Sequence, residues 1–490
     1  MAPVPPSRIQ AATTAVAPPD GRLIVYWMTA QRRLQHNPAL QHAVALARDN
    51  DLPLVIVEAV RCDYPFASHR FHAFILQGMA DNRERAAGRG AFLHTVVETA
   101  PGDTRGLLAA WARLAHTVVA DAHPGFFFPK MLSAAAAQLT CPLIAVDGIG
   151  LLPLQASPKP FARAHDFRRH LQKTLPEHLE WQPLVDPLAG SPLAELPEND
   201  DVKAILGRWP QASDAVLAAT PAALQRLPID ASVPVAPVQG GSTAAIAQWQ
   251  AFLDRHLAHY GSDRNHPDAS GASGLSPWLH FGHISPFRLL ADIADREGWS
   301  PDQCADKATA KREGWWGLSP GAEAFLDELI TWRELGHHYA HHVEDPTVWE
   351  SLPAWARTTL EAHAHDTRDW HYTREQLAGA LTHDRVWNAA QRELVETGRM
   401  HNYLRMLWGK RILEWSAHPR DAMDTMFWLN DRYALDGRDP NTASGVGWVL
   451  GRFDRAWGPV RPIFGKIRYM SSENTVRKLK MKQYLARWGA

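Results

Sequence analysis

Thiols are scarce in this chain. Three cysteines in 490 residues (Cys62, Cys141, Cys304) form no CxxC pair, too few for a disulfide framework or a Cys-ligated iron–sulfur cluster. Long apolar runs are missing too: none reaches the roughly 18 residues that a membrane span needs, so no membrane partner is expected. Residues 1–20, MAPVPPSRIQAATTAVAPPD, lack the apolar core of a secretory leader and read as a flexible tail. Charge of one sign is absent overall, the net being −1, which gives no global hint of a polyanionic partner. There is no GxGxxG, no HExxH and no nucleophile–base triad, so the usual dinucleotide fingerprint and zinc-peptidase chemistry drop out. A cytoplasmic, monomeric enzyme is the expectation that these absences leave.

What is there is tryptophan. Twenty Trp outnumber 16 Phe and 9 Tyr, and most lie beyond residue 275. At 46% hydrophobic and 21% charged the composition has ample material for a folded core. Residues 21–150 alternate short apolar runs with amphipathic stretches. RLIVYWM, PLVIVEAV, TVVADA and PLIAVDG read as strands, and PALQHAVALARDN and LLAAWARLA as helices. Strands separated by helices imply an α/β domain with a Rossmann-like parallel sheet. Residues 151–244, rich in Pro, Ala and Asp, read as a linker with short helices. From 245 to 490 the period is helical, predicting an all-α second domain.

The densest chemistry lies between Trp387 and Asn441: WNAAQRELVETGRMHNYLRMLWGKRILEW, then LND, then LDGRDPN. Trp408 and Trp415 are seven apart and share one helix face, with Arg405 one turn before Trp408. A buried indole row beside an arginine suits electron hopping to a redox cofactor, and it equally suits ordinary core packing. GASGLSPWLHFGHIS is a Gly/Ser turn running into a helix. Such a turn serves as a diphosphate cradle or simply as a cap. Residues 452–487 hold ten Lys/Arg against Asp454 and Glu473, a basic patch for phosphates or a solvated charged tail. In HHYAHH, His338 and His342 share a helix face at metal-ligand spacing. No carboxylate motif accompanies them, and no metal is expected.

Taken together, WNAAQ, TGxMHxYxRMxWxKxILEW, LNDRYxLDGRDPN and GKIRYM resemble the signature of class II cyclobutane pyrimidine dimer photolyases. The match covers most of residues 250–470 and thins toward the N-terminus, where YWMTAQRR departs from the family's opening. The resemblance implies an α/β domain followed by an all-α FAD-binding domain. It also implies light-driven repair of UV-damaged DNA containing pyrimidine dimers, with FAD as cofactor and a deazaflavin or folate antenna as an option. The antenna itself is not legible, because HPGFFFPKM and VDGIGLLP stand where more regular family motifs belong.

Residue by residue, the resemblance assigns the flavin to Tyr260, Ser273, Gly274, Leu275, Ser276, Asn402, Arg405, Asn430, Asp436 and Gly437. The Arg405–Asp436 pair would lie against the isoalloxazine, with Asn430 near its N5. Trp387, Trp408 and Trp415 match the electron-transfer tryptophans. Glu328 would hydrogen-bond the dimer, Trp332 and Trp448 would hold it against their rings, and Met406 and Arg264 would line the pocket. Arg455 and Trp457, in FDRAW, would fill the space that a flipped dimer leaves in the duplex. Three features depart from the family pattern. Asn402 stands where Gly is usual, implying altered flavin redox behaviour. His337 and His338 replace a DN pair, and the FDRAW loop is edited by one residue on each side. A cryptochrome-like photoreceptor that keeps the flavin without repair is the rival from another class. Repair of (6-4) photoproducts, using His337 or His338, is a third.

Overall fold

Six strands build one sheet in the computed structural model, which describes residues 3–489. They are β1 (Ile9–Ala11), β2 (Leu23–Met28), β3 (Leu54–Val60), β4 (Phe92–Val97), β5 (Ala115–Asp121) and β6 (Leu143–Val146), in the order β1-β6-β5-β2-β3-β4. All neighbours are parallel except β1, which runs antiparallel to β6. The near-continuous burial of LIVYWM in β2 is that of a parallel strand covered on both faces. Its alternate residues feed two cores. Ile24, Tyr26 and Met28 join the cluster under helix Pro38–Asp49, and Leu23 and Val25 join the one under helix Leu107–Ala112.

The sequence reading missed β4 and helix His69–Ala86. FLHTVV carries a buried histidine that hides its strand pattern. His94 accepts the indole N–H of Trp111 at 3.0 Å on Nδ1 and lies 2.8 Å from the Trp209 carbonyl on Nε2. The expected flexible tail is corrected over residues 4–11. Val4 is buried, β1 pairs with the free edge of β6, and the buried Arg8 guanidinium donates to the Gly150 (3.0 Å) and Leu151 carbonyls. Those hydrogen bonds and the covered edge order the segment.

The sheet reverses strand order between β2 and β5, the point where such sheets commonly take ligands. Here Asp121, at the end of β5, staples the turn after β2. Its carboxylate accepts the backbone N–H of Thr29, Ala30 and Gln31 at 2.7–2.9 Å and the Tyr26 hydroxyl at 2.8 Å.

The chain divides into two units. One comprises Met1–Ser157, Thr174–Trp249 and Leu275–Arg296; the other comprises Pro158–Lys173, Gln250–Gly274 and Glu297–Ala490. The second is helical, and one of its cores gathers Trp387, Leu404, Leu407, Trp408, Ile412 and Trp415. No helix among the described residues is long and apolar enough to cross a membrane.

Candidate active site

Helix Arg385–Thr397 begins where Asp384 accepts the backbone N–H of Val386 and Trp387, both at 3.0 Å. It stops at Gly398 in the left-handed region (φ 74°). A three-residue turn leads into helix Asn402–Trp415. The two helices assemble the tryptophans in the spatial order Trp408, Trp387, Trp415. Trp387 and Trp408 are parallel, with ring centroids 6.4 Å apart and planes 1° from coplanar, and Trp387 meets Trp415 at 5.5 Å edge-on. All three are buried. Each inner indole N–H is satisfied: Trp387 donates to the Trp408 carbonyl at 3.0 Å, and Trp408 donates to Gln391 Oε1 at 2.9 Å. Sequence spacing put Trp408 and Trp415 on one face and did not place Trp387 between them. Gln391, the last residue of WNAAQ, was quoted but given no role.

Arg405 lies on the same helix, half-buried, and its Nη2 donates to Asp436 at 3.1 and 3.4 Å. Asp436 is held there by its own turn, since Leu435 N–H donates to the Gly398 carbonyl at 2.8 Å. Gly437 in that turn has no room for a side chain. A Cβ there would sit 2.9 Å from the carbonyls of Ala434 and Asn430. Asn430 is buried on helix Pro419–Tyr433 and donates to Thr442 Oγ1 at 3.0 Å. Asn402 and Met406 share the helix with Arg405, the first exposed and the second half-buried.

Gly274 also takes the left-handed conformation (φ 68°), and a Cβ there would run into the Arg399 guanidinium. Sequence reasoning missed Arg399, a cation beside the expected diphosphate turn. Ser273 and Gly274 close a segment of the helical unit, whereas Leu275 and Ser276 open helix Ser276–His280 of the other.

Glu328 lies on a π-helical segment, Asp327–Trp332, a wider turn that recurs at functional sites. The segment is pinned by Asp327, which takes a two-pronged hydrogen bond from the buried Arg168 at 2.7 and 3.0 Å. Glu328 pairs with Arg264, whose guanidinium also sits 5.7 Å over the Tyr260 ring. Burial pushes the Glu328 carboxyl up, and Arg264 opposes the shift. Tyr260 is held edge-on by Phe252 and Phe325, both at 5.6 Å.

Helix Pro440–Val449 is started by Asp439, which accepts Asn441 N–H at 2.8 Å, with Pro440 at its first position. It packs against helix Arg333–His342 at Gly336, where any Cβ would meet Asn441 Oδ1 at 2.6 Å and Ser444 Oγ at 2.8 Å. One turn along each helix from that close contact, Trp332 and Trp448 face each other at 5.7 Å, both half-buried. His338 is buried against Phe167 (5.3 Å), with neither ring nitrogen bonded among the described residues. Burial holds it well below the usual histidine range.

After Val449 the chain turns into the FDRAW loop. Trp457 donates to Asp454 at 3.1 Å, and the guanidinium groups of Arg455 (4.7 Å) and Arg468 (5.2 Å) both lie over its ring. Arg452, counted with the basic patch in the sequence, is buried instead. It donates to the carbonyls of Ala443 (2.8 Å) and Pro346 (3.0 Å) and lies 4.6 Å over Tyr339.

Comparison with known proteins follows the same lines. Residues 24–187 match the profile described as DNA photolyase. The deoxyribodipyrimidine photo-lyase of Methanothermobacter thermautotrophicus is 35% identical over 95% of this chain and 94% of its own. That of Oryza sativa subsp. japonica is 35% identical over 98% and 90%. A bacterial class III photolyase from Agrobacterium tumefaciens, at 18% identity, shares the fold with a TM-score of 0.66 over 97% of this chain and 88% of its own.

Proposed function

The chain belongs to the DNA photolyase family, and on that premise we propose that it splits cyclobutane pyrimidine dimers in DNA under blue light, with reduced FAD as cofactor. It is a lyase of that family, and the motifs point to the class II branch. The residues present fit the flavin. Gly437 sits where a Cβ has no space and Gly274 takes the left-handed conformation, Arg405 is fixed by Asp436, and Arg399 adds a cation beside Gly274. When bound, reduced FAD supplies the photoexcited electron donor.

The chain's own groups do the rest. Backbone N–H groups at the Ser273–Gly274 turn are suited to a diphosphate. Arg405 places positive charge where an anionic reduced ring needs it, and the Asn430 amide both donates and accepts. Tyr260, Asn402, Asp436 and Gly437 complete the flavin-facing set. Trp332 and Trp448 offer ring faces to an extruded pyrimidine pair, and the family motif gives Met406 the same pocket. Contact with Arg264 favours the ionised form of Glu328, against the burial that raises its carboxyl. A base that displaces the guanidinium leaves a buried carboxyl whose protonated form donates to the lesion's carbonyl. Arg455 and Trp457 occupy the gap in the duplex, which keeps the extruded state open.

One observation carries this reading: a single helical unit holds both the buried indole row and the Arg264–Glu328, Trp332–Trp448 wall. The test is an absorption spectrum of the purified protein, then a repair assay on dimer-containing DNA after chemical reduction. Dimers restored to monomers only under blue light are the expected result. Flavin uptake and photoreduction with the dimers left intact would instead favour a photoreceptor. Trp408→Phe should abolish photoreduction of the oxidised flavin and leave repair by chemically reduced protein in place.

A further inference from the structure

The indole row stops inside the protein. Trp415, its last member, is 3% exposed, so a reductant in solution has almost no surface to touch. The rings nevertheless continue outward. Trp415 meets Tyr372 edge-on at 5.2 Å and His383 at 5.5 Å. The Tyr372 hydroxyl lies 2.6 Å from His383 Nδ1 and also accepts the His383 backbone N–H at 3.1 Å, which fixes the imidazole in place. His383 in turn stacks on Trp370, with centroids 4.3 Å apart and planes 24° from parallel. Trp370 is 50% exposed.

A half-exposed indole leaves apolar area in water, which burial elsewhere would recover. Core packing therefore does not account for its position, flat on a hydrogen-bonded imidazole. An electron path that must end in solvent does account for it. Trp370 and Tyr372 are the oxidisable rings beyond Trp415, and of the two Trp370 is the one exposed to a small reductant.

We propose that Trp370 is the solvent-facing terminus of the tryptophan row, reached across His383, and that soluble thiols deliver electrons there. The proposal rests on the flavin reading above. With a flavin bound as photoexcited acceptor, the row would give up one electron. Trp370 refills the row, and its indole N–H proton passes to water. A thiol then returns one electron and one proton to Trp370, leaving a thiyl radical, and two thiyl radicals combine as a disulfide.

The experiment uses flavin-loaded protein: the parent chain, Trp370→Phe, His383→Ala and, as control, Trp408→Phe. Transient absorption follows tryptophan radical decay against dithiothreitol concentration, and mass spectrometry locates adducts of a nitrone spin trap. In the parent, decay should quicken with thiol and the adduct should fall on Trp370. In Trp370→Phe and His383→Ala, with unchanged flavin absorption spectra, the thiol dependence should be largely lost and the adduct should disappear. Equal thiol dependence in the parent and Trp370→Phe, or an adduct confined to another residue, would overturn the proposal. Photoreduction surviving in the Trp408→Phe control would instead sink the flavin–tryptophan reading, and the inference with it.

Discussion

Trp387 shows how much one side chain can depend on a neighbour from another helix. Its N–H is taken by the Trp408 carbonyl, while Gln391 takes the Trp408 N–H. Buried indole N–H groups need such partners, so Gln391→Leu strands a donor in the core and should cost about 1–3 kcal/mol of stability in urea titration. Trp332 and Trp448 differ because they face each other half-exposed, leaving ring surface for a ligand. Replacing either with Ala should weaken binding of dimer-containing DNA by about 1–3 kcal/mol, read by competition against undamaged duplex. Loss of stability without loss of lesion preference would make them core residues. Residue identity was legible in the motifs. Which tryptophans are buried and which keep a partly exposed face was not, because exposure depends on what packs above each ring.

Between elements, contacts at helix ends and turns set the geometry. Lys410 lies on the same helix as Trp408 and donates its buried ammonium to the carbonyl of Val449, the last residue of the helix that bears Trp448. Burial lowers its pKa to about 7 from the usual 10.5, with Asp454 raising it and Arg468 lowering it further. Between those values the unfolded chain holds a proton that the folded chain has lost. This term therefore makes stability rise with pH across that window and fade below it. Lys410→Met should flatten the slope between pH 7 and the ordinary lysine value, measured by urea denaturation at several pH values. The π-helical segment is a second case. Breaking the buried Arg168–Asp327 pair by Asp327→Asn should cost about 3–5 kcal/mol, since it leaves an uncompensated cation inside. Neither Arg168 nor the π turn carried a sequence signal. The partners are 159 residues apart, and one extra residue in a helical turn leaves the apolar period almost unchanged.

At the scale of the whole chain, the net charge conceals a local field. Nine of the ten basic residues between 452 and 487 are exposed, and only Arg452 is buried. The segment is not a loose tail at its end. Arg385 and Arg392 donate to the carbonyls of Gly489 (3.0 Å) and Trp488 (2.9 Å), and Tyr484 donates to Glu393 at 2.7 Å. A folded, basic surface should bind DNA with strong salt dependence. Arg468→Gln should weaken damaged and undamaged DNA alike and reduce the log–log salt slope by about 0.9. Arg452→Gln should lower stability while leaving that slope alone.

Four of the five parallel strands and the helical second half could be read from residue order alone. Apolar period, Asp and Gly caps and Pro placement act within a few residues of one another. Packing decided the rest. It interleaved Trp387 between Trp408 and Trp415, set Arg264 on Glu328, drew Arg452 inside and tied residues 9–11 to the edge of β6. Those outcomes depend on how segments tens to hundreds of residues apart share buried volume and hydrogen bonds, and no local pattern encodes that.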